Sequence, residues 1–145
     1  MTRIDFYVLG SSDPDARLEL ACRLAEKAAG LGRGVFVHGD DRALLETLDD
    51  RLWTFRAASF VPHRLLEPDA PPERVDGDPV QLSTGEPGPD RRTLINLARH
   101  VPPFFARFER ALEIVDQSDP VRDEGRERYR FYRHRGYPLK HHDVG

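Results

Sequence analysis

The sequence predicts a single α/β domain: a mostly parallel, Rossmann-like sheet with helices on both faces. Short runs of β-branched and aromatic residues alternate with segments whose apolar residues recur at spacings of three and four. Within about the first fifty residues the order is strand, helix, strand, helix, which marks a βαβ unit with parallel strands and a right-handed crossover. The chain has 145 residues, 39% hydrophobic and 32% charged, enough to bury one core without metals or disulfides.

Ile4 to Leu9 (IDFYVL) is rich in β-formers and ends at Gly10-Ser11-Ser12, so it is read as a buried first strand. Asp13-Pro14 supplies a capping side chain and a first-turn proline. Leu18, Ala21, Cys22, Ala25, Ala28 and Ala29 then trace one face of a helix, which Gly30-Leu31-Gly32 stops. Val35 to His38 is a second strand, and Gly39-Asp40-Asp41 turns into a helix lined by Leu44, Leu45, Leu48 and Leu52.

The stretch RLWTFRAASFVPHR, residues 51–64, fits neither period. It holds the chain's one tryptophan and two of its eight phenylalanines, so it either folds back over the core or is meant for another protein. Residues 66–78, rich in proline and acids, form an exposed loop. Strands are expected at 79–84, 93–97 and 111–116, with Phe104, Phe105 and Phe108 as a core cluster between the last two. A final helix runs from about Asp119 to Gly136, and 137–145 is expected as a C-terminal tail.

Composition narrows the function. A formal charge of −3 gives no global reason for nucleic-acid or membrane binding, so any electrostatic partner must meet a local patch. One cysteine, Cys22, excludes an internal disulfide and falls on an apolar helical face. The N-terminal apolar run is too short for a signal peptide, and no run approaches the roughly 18 residues of a membrane span, so a cytoplasmic protein is expected.

Catalytic signatures are weak. Gly30, Gly32 and Gly34 lie after a helix and before a strand, the reverse of a dinucleotide fingerprint. His38, Asp40 and Asp41 at a strand end are better read as helix-capping residues than as metal ligands, and His141-His142 has no cysteine or spaced ligand beside it. No catalytic residue, metal site or cofactor is expected.

The last helix says more. At about 100° per residue, Arg122, Arg126, Tyr129, Arg130 and Arg133 fall within one arc of roughly 100°. Residues 122–135 contain six arginines against three acids, a positive face on a negative chain. A solvated terminal helix would account for the charge. Arginine, however, binds carboxylates in bidentate fashion, and a neighbouring tyrosine adds a flat apolar wall. Such a surface suits an acidic peptide ending in a hydrophobic residue.

These motifs carry a family resemblance. Ile4-Asp5-Phe6-Tyr7, Leu52-Trp53, Ser59-Phe60-Val61-Pro62-His63 and Arg126-Glu127-Arg128-Tyr129 with Arg133 and Gly136 together resemble the chi subunit of bacterial DNA polymerase III. The likeness implies a non-catalytic accessory of the replicative clamp loader, with a nucleotide-binding-like fold that binds no nucleotide. It implies a psi-subunit surface at Trp53, Phe60, Pro62 and His63. It implies that Arg126, Tyr129 and Arg130, with Arg122 and Arg133 beside them, bind the acidic C-terminal tail of single-stranded DNA-binding protein. Clamp-loader attachment would run through psi, and naked DNA would bind only weakly. Two rivals stay open: an adaptor docking a DNA-repair helicase through the same aromatic surface, and a nucleotide-binding enzyme.

Overall fold

The computed structural model describes residues 1–56, 61–67, 79–89 and 91–145. Its strands are β1 (Arg3–Leu9), β2 (Val35–His38), β3 (His63–Leu65), β4 (Val80–Ser83), β5 (Thr93–Asn96), β6 (Arg110–Val115) and β7 (Leu139–Val144). The helices are α1 (Pro14–Gly30), α2 (Arg42–Thr54) and α3 (Asp119–His134), with a 3-10 turn at Phe105–Arg107. The strands form one sheet in the order β3-β4-β2-β5-β6-β1-β7, and every pairing is parallel. The expected α/β architecture is therefore what the chain adopts.

Local chemistry sets the helix starts. The Asp13 carboxylate accepts from the Asp15 N–H at 2.9 Å, and Pro14 opens α1 with its fixed φ. Asp41 does the same for α2 through the Ala43 N–H at 3.0 Å. Helix α1 ends where Gly32 turns with φ +75°, the left-handed region that costs a glycine nothing.

Alternation along the strands feeds two cores. Val35, Val37, Ile95 and Ile114 point to the side covered by Leu18, Ala21, Cys22 and Ala25 of α1 and Leu45, Leu48 and Leu52 of α2. Ile4, Phe6, Phe36 and Leu94 point to the other side, under Phe104, Phe105, Phe108 and Tyr132. Helices thus cover both faces. Burial pushes the Cys22 thiol up to about 12, so it sits among apolar side chains as an inert thiol.

Two segments differ from the sequence reading. Residues 137–145 are not a tail: β7 pairs with β1 from Leu139 to Val144, and Pro138 O accepts from Ile4 N at 2.9 Å. As an edge strand of largely polar residues, LKHHDV shows no apolar alternation by which it could be recognised. Its hold comes from its side chains instead. His142 stacks on Tyr7 with ring centroids 4.5 Å apart, and its Nε2 lies 2.8 Å from Asp5 Oδ1.

The second difference is at the opposite edge. Within residues 51–64, α2 continues to Thr54, and His63 to Leu65 pair with Val80 to Leu82 as β3. Residues 57–60, and 68–78 of the expected loop, lie outside the described residues. No helix among the described residues is long and apolar enough to cross a membrane.

Candidate functional site

Helix α3 crosses the sheet on the β1–β6 side, and its inner surface decides how closely it lies. Glu113 of β6 is fully buried and is the anchor. Its carboxylate accepts from Arg128 Nε at 2.8 Å, from Tyr132 Oη at 2.8 Å and from Asn96 Nδ2 at 3.0 Å. Arg128 also donates to the Arg99 carbonyl at 3.0 Å. Burial, together with the Glu113 charge and hydrogen bond, raises the Tyr132 phenol above its ordinary value. These groups sit on the α3 side of the sheet beside Asn96, the last residue of β5, near the strand ends where parallel sheets commonly receive ligands.

One turn earlier, Gly125 brings the helix against the strand. A Cβ at that position would stand 2.7 Å from Val115 Cγ2 and 3.1 Å from Val115 Cγ1, closer than packed carbons tolerate. Only glycine permits this approach.

The result is an open groove of about 260 Å³ between α3 and the β1–β7 side of the sheet. Phe6, Val8 and Val115 make its apolar floor, and the Gly125 backbone adds one wall. Arg122, Arg126 and Tyr129 line it from α3, with Tyr129 edge-on to Phe6 at 5.2 Å. Gln117 and His141 complete the lining. The Gln117 amide is fixed by donating to the Leu9 carbonyl at 3.0 Å.

Three of the five arginine-face residues meet here: Arg122, Arg126 and Tyr129. Arg130 and Arg133 do not line the groove; both are exposed farther along α3. His141 was not among the sequence-derived candidates because β7 was not. Its register opposite Phe6 carries it to the groove, a relation visible only once β7 is paired.

Most of these basic side chains have acidic neighbours on their own element. Arg122 Nη2 lies 2.8 Å from Asp119 Oδ1, and Arg122 Nε is 3.4 Å from Asp123 Oδ1. Arg126 Nη1 is 3.9 Å from the same Asp123 oxygen, and Arg130 pairs with Glu127. His141 Nε2 is 2.7 Å from Asp143 Oδ1. Exposed pairs of this kind contribute only about 0–1 kcal/mol, so they can open toward an incoming anion. The arrangement can therefore take an apolar side chain on the floor and carboxylates at the rim.

The second sequence-derived surface lies at the β3 edge. Trp53 is half exposed, with its ring centroid 4.4 Å from that of His63. The His63 side chain is itself fully buried. Its Nδ1 faces the Val61 carbonyl at 2.7 Å, while Nε2 faces the Asp49 carbonyl at 3.1 Å. His63 thus supports the indole from below and ties α2 to β3. Pro62 is partly buried beside it. Phe60 lies outside the described residues.

The other polar candidates have structural roles. Asp41 caps α2. Burial would raise the Asp40 carboxyl, but hydrogen bonds from the Arg99 backbone and guanidinium outweigh it and hold it below its usual value. His38 is pushed down by burial, with its ring against Phe104. Among the described residues no group of three or more His, Cys, Asp and Glu is placed to hold a metal.

Comparison with known proteins agrees with the motif resemblance. Residues 1–140 match the family described as DNA polymerase III chi subunit, HolC. The chain is 48% identical to DNA polymerase III subunit chi of Pseudomonas aeruginosa over 143 residues, covering 98% of this chain and 96% of that protein. It is 32% identical to the subunit chi of Haemophilus influenzae over 143 residues, covering 97% and 96%. Against that of Escherichia coli the identity is 29% over 145 residues, covering 96% of each.

Proposed function

The chain belongs to the DNA polymerase III chi subunit family, and from that premise we propose that it is a non-catalytic adaptor in DNA replication. The α3 groove takes the acidic, phenylalanine-ended C-terminal tail of single-stranded DNA-binding protein. The Trp53 edge takes the psi subunit and, through it, the clamp loader.

One observation carries this reading: an apolar floor of Phe6, Val8 and Val115 shares one groove with Arg122 and Arg126. Apolar floor and cationic rim are what a hydrophobic terminal side chain preceded by carboxylates requires. Duplex or single-stranded DNA could use the same charges, but a few arginines already paired with acids would bind it weakly and lose it readily to salt. At the other edge, a half-exposed tryptophan on a buried imidazole is a rigid aromatic anchor of the sort that concentrates binding energy at protein interfaces.

The test is a fluorescence-anisotropy titration with a labelled acidic peptide ending in phenylalanine. Saturable binding that weakens with salt, and is lost when the terminal phenylalanine is replaced by alanine, is the expected result. Absence of binding at low salt would sink the groove reading. For the second surface, Trp53→Ala should lose psi in co-purification while tail binding persists. Full retention of psi would place that partner elsewhere.

A further inference from the structure

The groove arginines are not presented bare. Asp123 Oδ1 stands 3.4 Å from Arg122 Nε and 3.9 Å from Arg126 Nη1, so a single carboxylate serves both α3 cations of the groove. Asp123 does not line the groove, and its side chain is 62% exposed. It anchors nothing in the core. On the facing wall Asp143 Oδ1 lies 2.7 Å from His141 Nε2. We propose that Asp123 is a built-in competitor that sets the affinity threshold of the groove, so that a ligand must bring several carboxylates to displace it. This inference rests on the tail-binding reading and adds the feature that selects among ligands.

The physical reason is a balance of two small effects. An exposed ion pair is weak, so Asp123 does little to stabilise the fold. Its charge nevertheless lies within a Debye length of any carboxylate that approaches Arg126, and it repels that carboxylate while occupying its partner. Asp119 also engages Arg122, but it sits in the first turn of α3, where an acid favours the helix dipole. Changing it would mix binding with stability. Asp123→Asn keeps the side-chain shape and removes only the charge.

The experiment compares wild type, Asp123→Asn and Asp50→Asn, which makes the same charge change at an exposed position on α2, across the sheet. The probes are the labelled acidic peptide ending in phenylalanine and a version with its acids replaced by Asn and Gln. Asp123→Asn should bind the acidic peptide about two- to fivefold tighter at low salt. The gain should shrink in high salt and be smaller for the amide version. Asp50→Asn should match wild type. If Asp123→Asn binds equally or more weakly while wild type binds normally, Asp123 is a bystander or a strut, and this inference fails with the groove reading intact. If wild type does not bind the acidic peptide, both fail.

Discussion

Helix α3 places the same residue type in two opposite situations two positions apart. Arg128 is 3% exposed, and its Nε and Nη1 are held by Glu113 and the Arg99 carbonyl. Arg126 is largely exposed, and among the described residues its ion pair is with Asp123, at 3.9 Å. The inward side of the helix converts arginine into a fixed strut. The outward side leaves it able to exchange partners. Burial, not residue identity, separates a fixed arginine from an exchangeable one here, because a desolvated charge cannot afford to lose its counter-ion and a solvated one can.

Four changes would break or sharpen that contrast. The largest effect should come from Glu113→Ala, which strands Arg128 in the interior and takes the acceptor from Tyr132 and Asn96. Urea unfolding should show a loss of about 3–5 kcal/mol. A loss below about 1 kcal/mol would mean the inner side is not the scaffold described. Gly125→Ala should follow, because its Cβ meets Val115 at 2.7 Å and forces helix and strand apart. A cost of about 1–3 kcal/mol in stability is expected, with weaker tail-peptide binding as the groove is distorted.

Arg126→Ala should separate the two sides cleanly. Unfolding should change by no more than about 0.5 kcal/mol. Tail-peptide affinity should fall by about 1–3 kcal/mol, with a shallower dependence on salt. Equal stability and equal affinity would remove Arg126 from the site.

The smallest effect concerns the far wall. Burial would raise the Asp5 carboxyl, but the His142 and Arg110 hydrogen bonds and charges outweigh it and hold it below its ordinary 3.8. A depressed folded-state value contributes stability that is present above the unfolded-state value and is lost as pH falls through the folded one. The melting temperature of Asp5→Asn should therefore decline less steeply than that of wild type on acidification below about pH 4. Identical acid limbs would show that Asp5 does not tie β7 down.

Much of this was legible in the residues. Helical spacing put Arg122, Arg126 and Tyr129 on one arc, and they meet in one groove. The same spacing turns Arg128 to the opposite side, so its burial could have been read from its angle once the positive face was chosen. Strands β1, β2, β5 and β6 were readable because apolar and β-branched runs mark them. Strand β7 was not, since polar contacts with Asp5 and Tyr7 secure it where apolar alternation usually would. With β7 went His141. His63 is read from the sequence as part of the aromatic surface, but its burial beneath Trp53 depends on the α2–β3 contact, which no local pattern encodes.

Strand β1 lies between β6 and β7, so both its neighbours lie more than 100 residues farther along the chain. The bonds that fasten it there join Asp5 to residues 105 and 137 positions away. During synthesis β1 must wait for both partners until residue 144 has been made. Completing the α3 groove is thus tied to long loop closure, which slows assembly. A chain that stops short of β7 lacks the wall that His141 supplies.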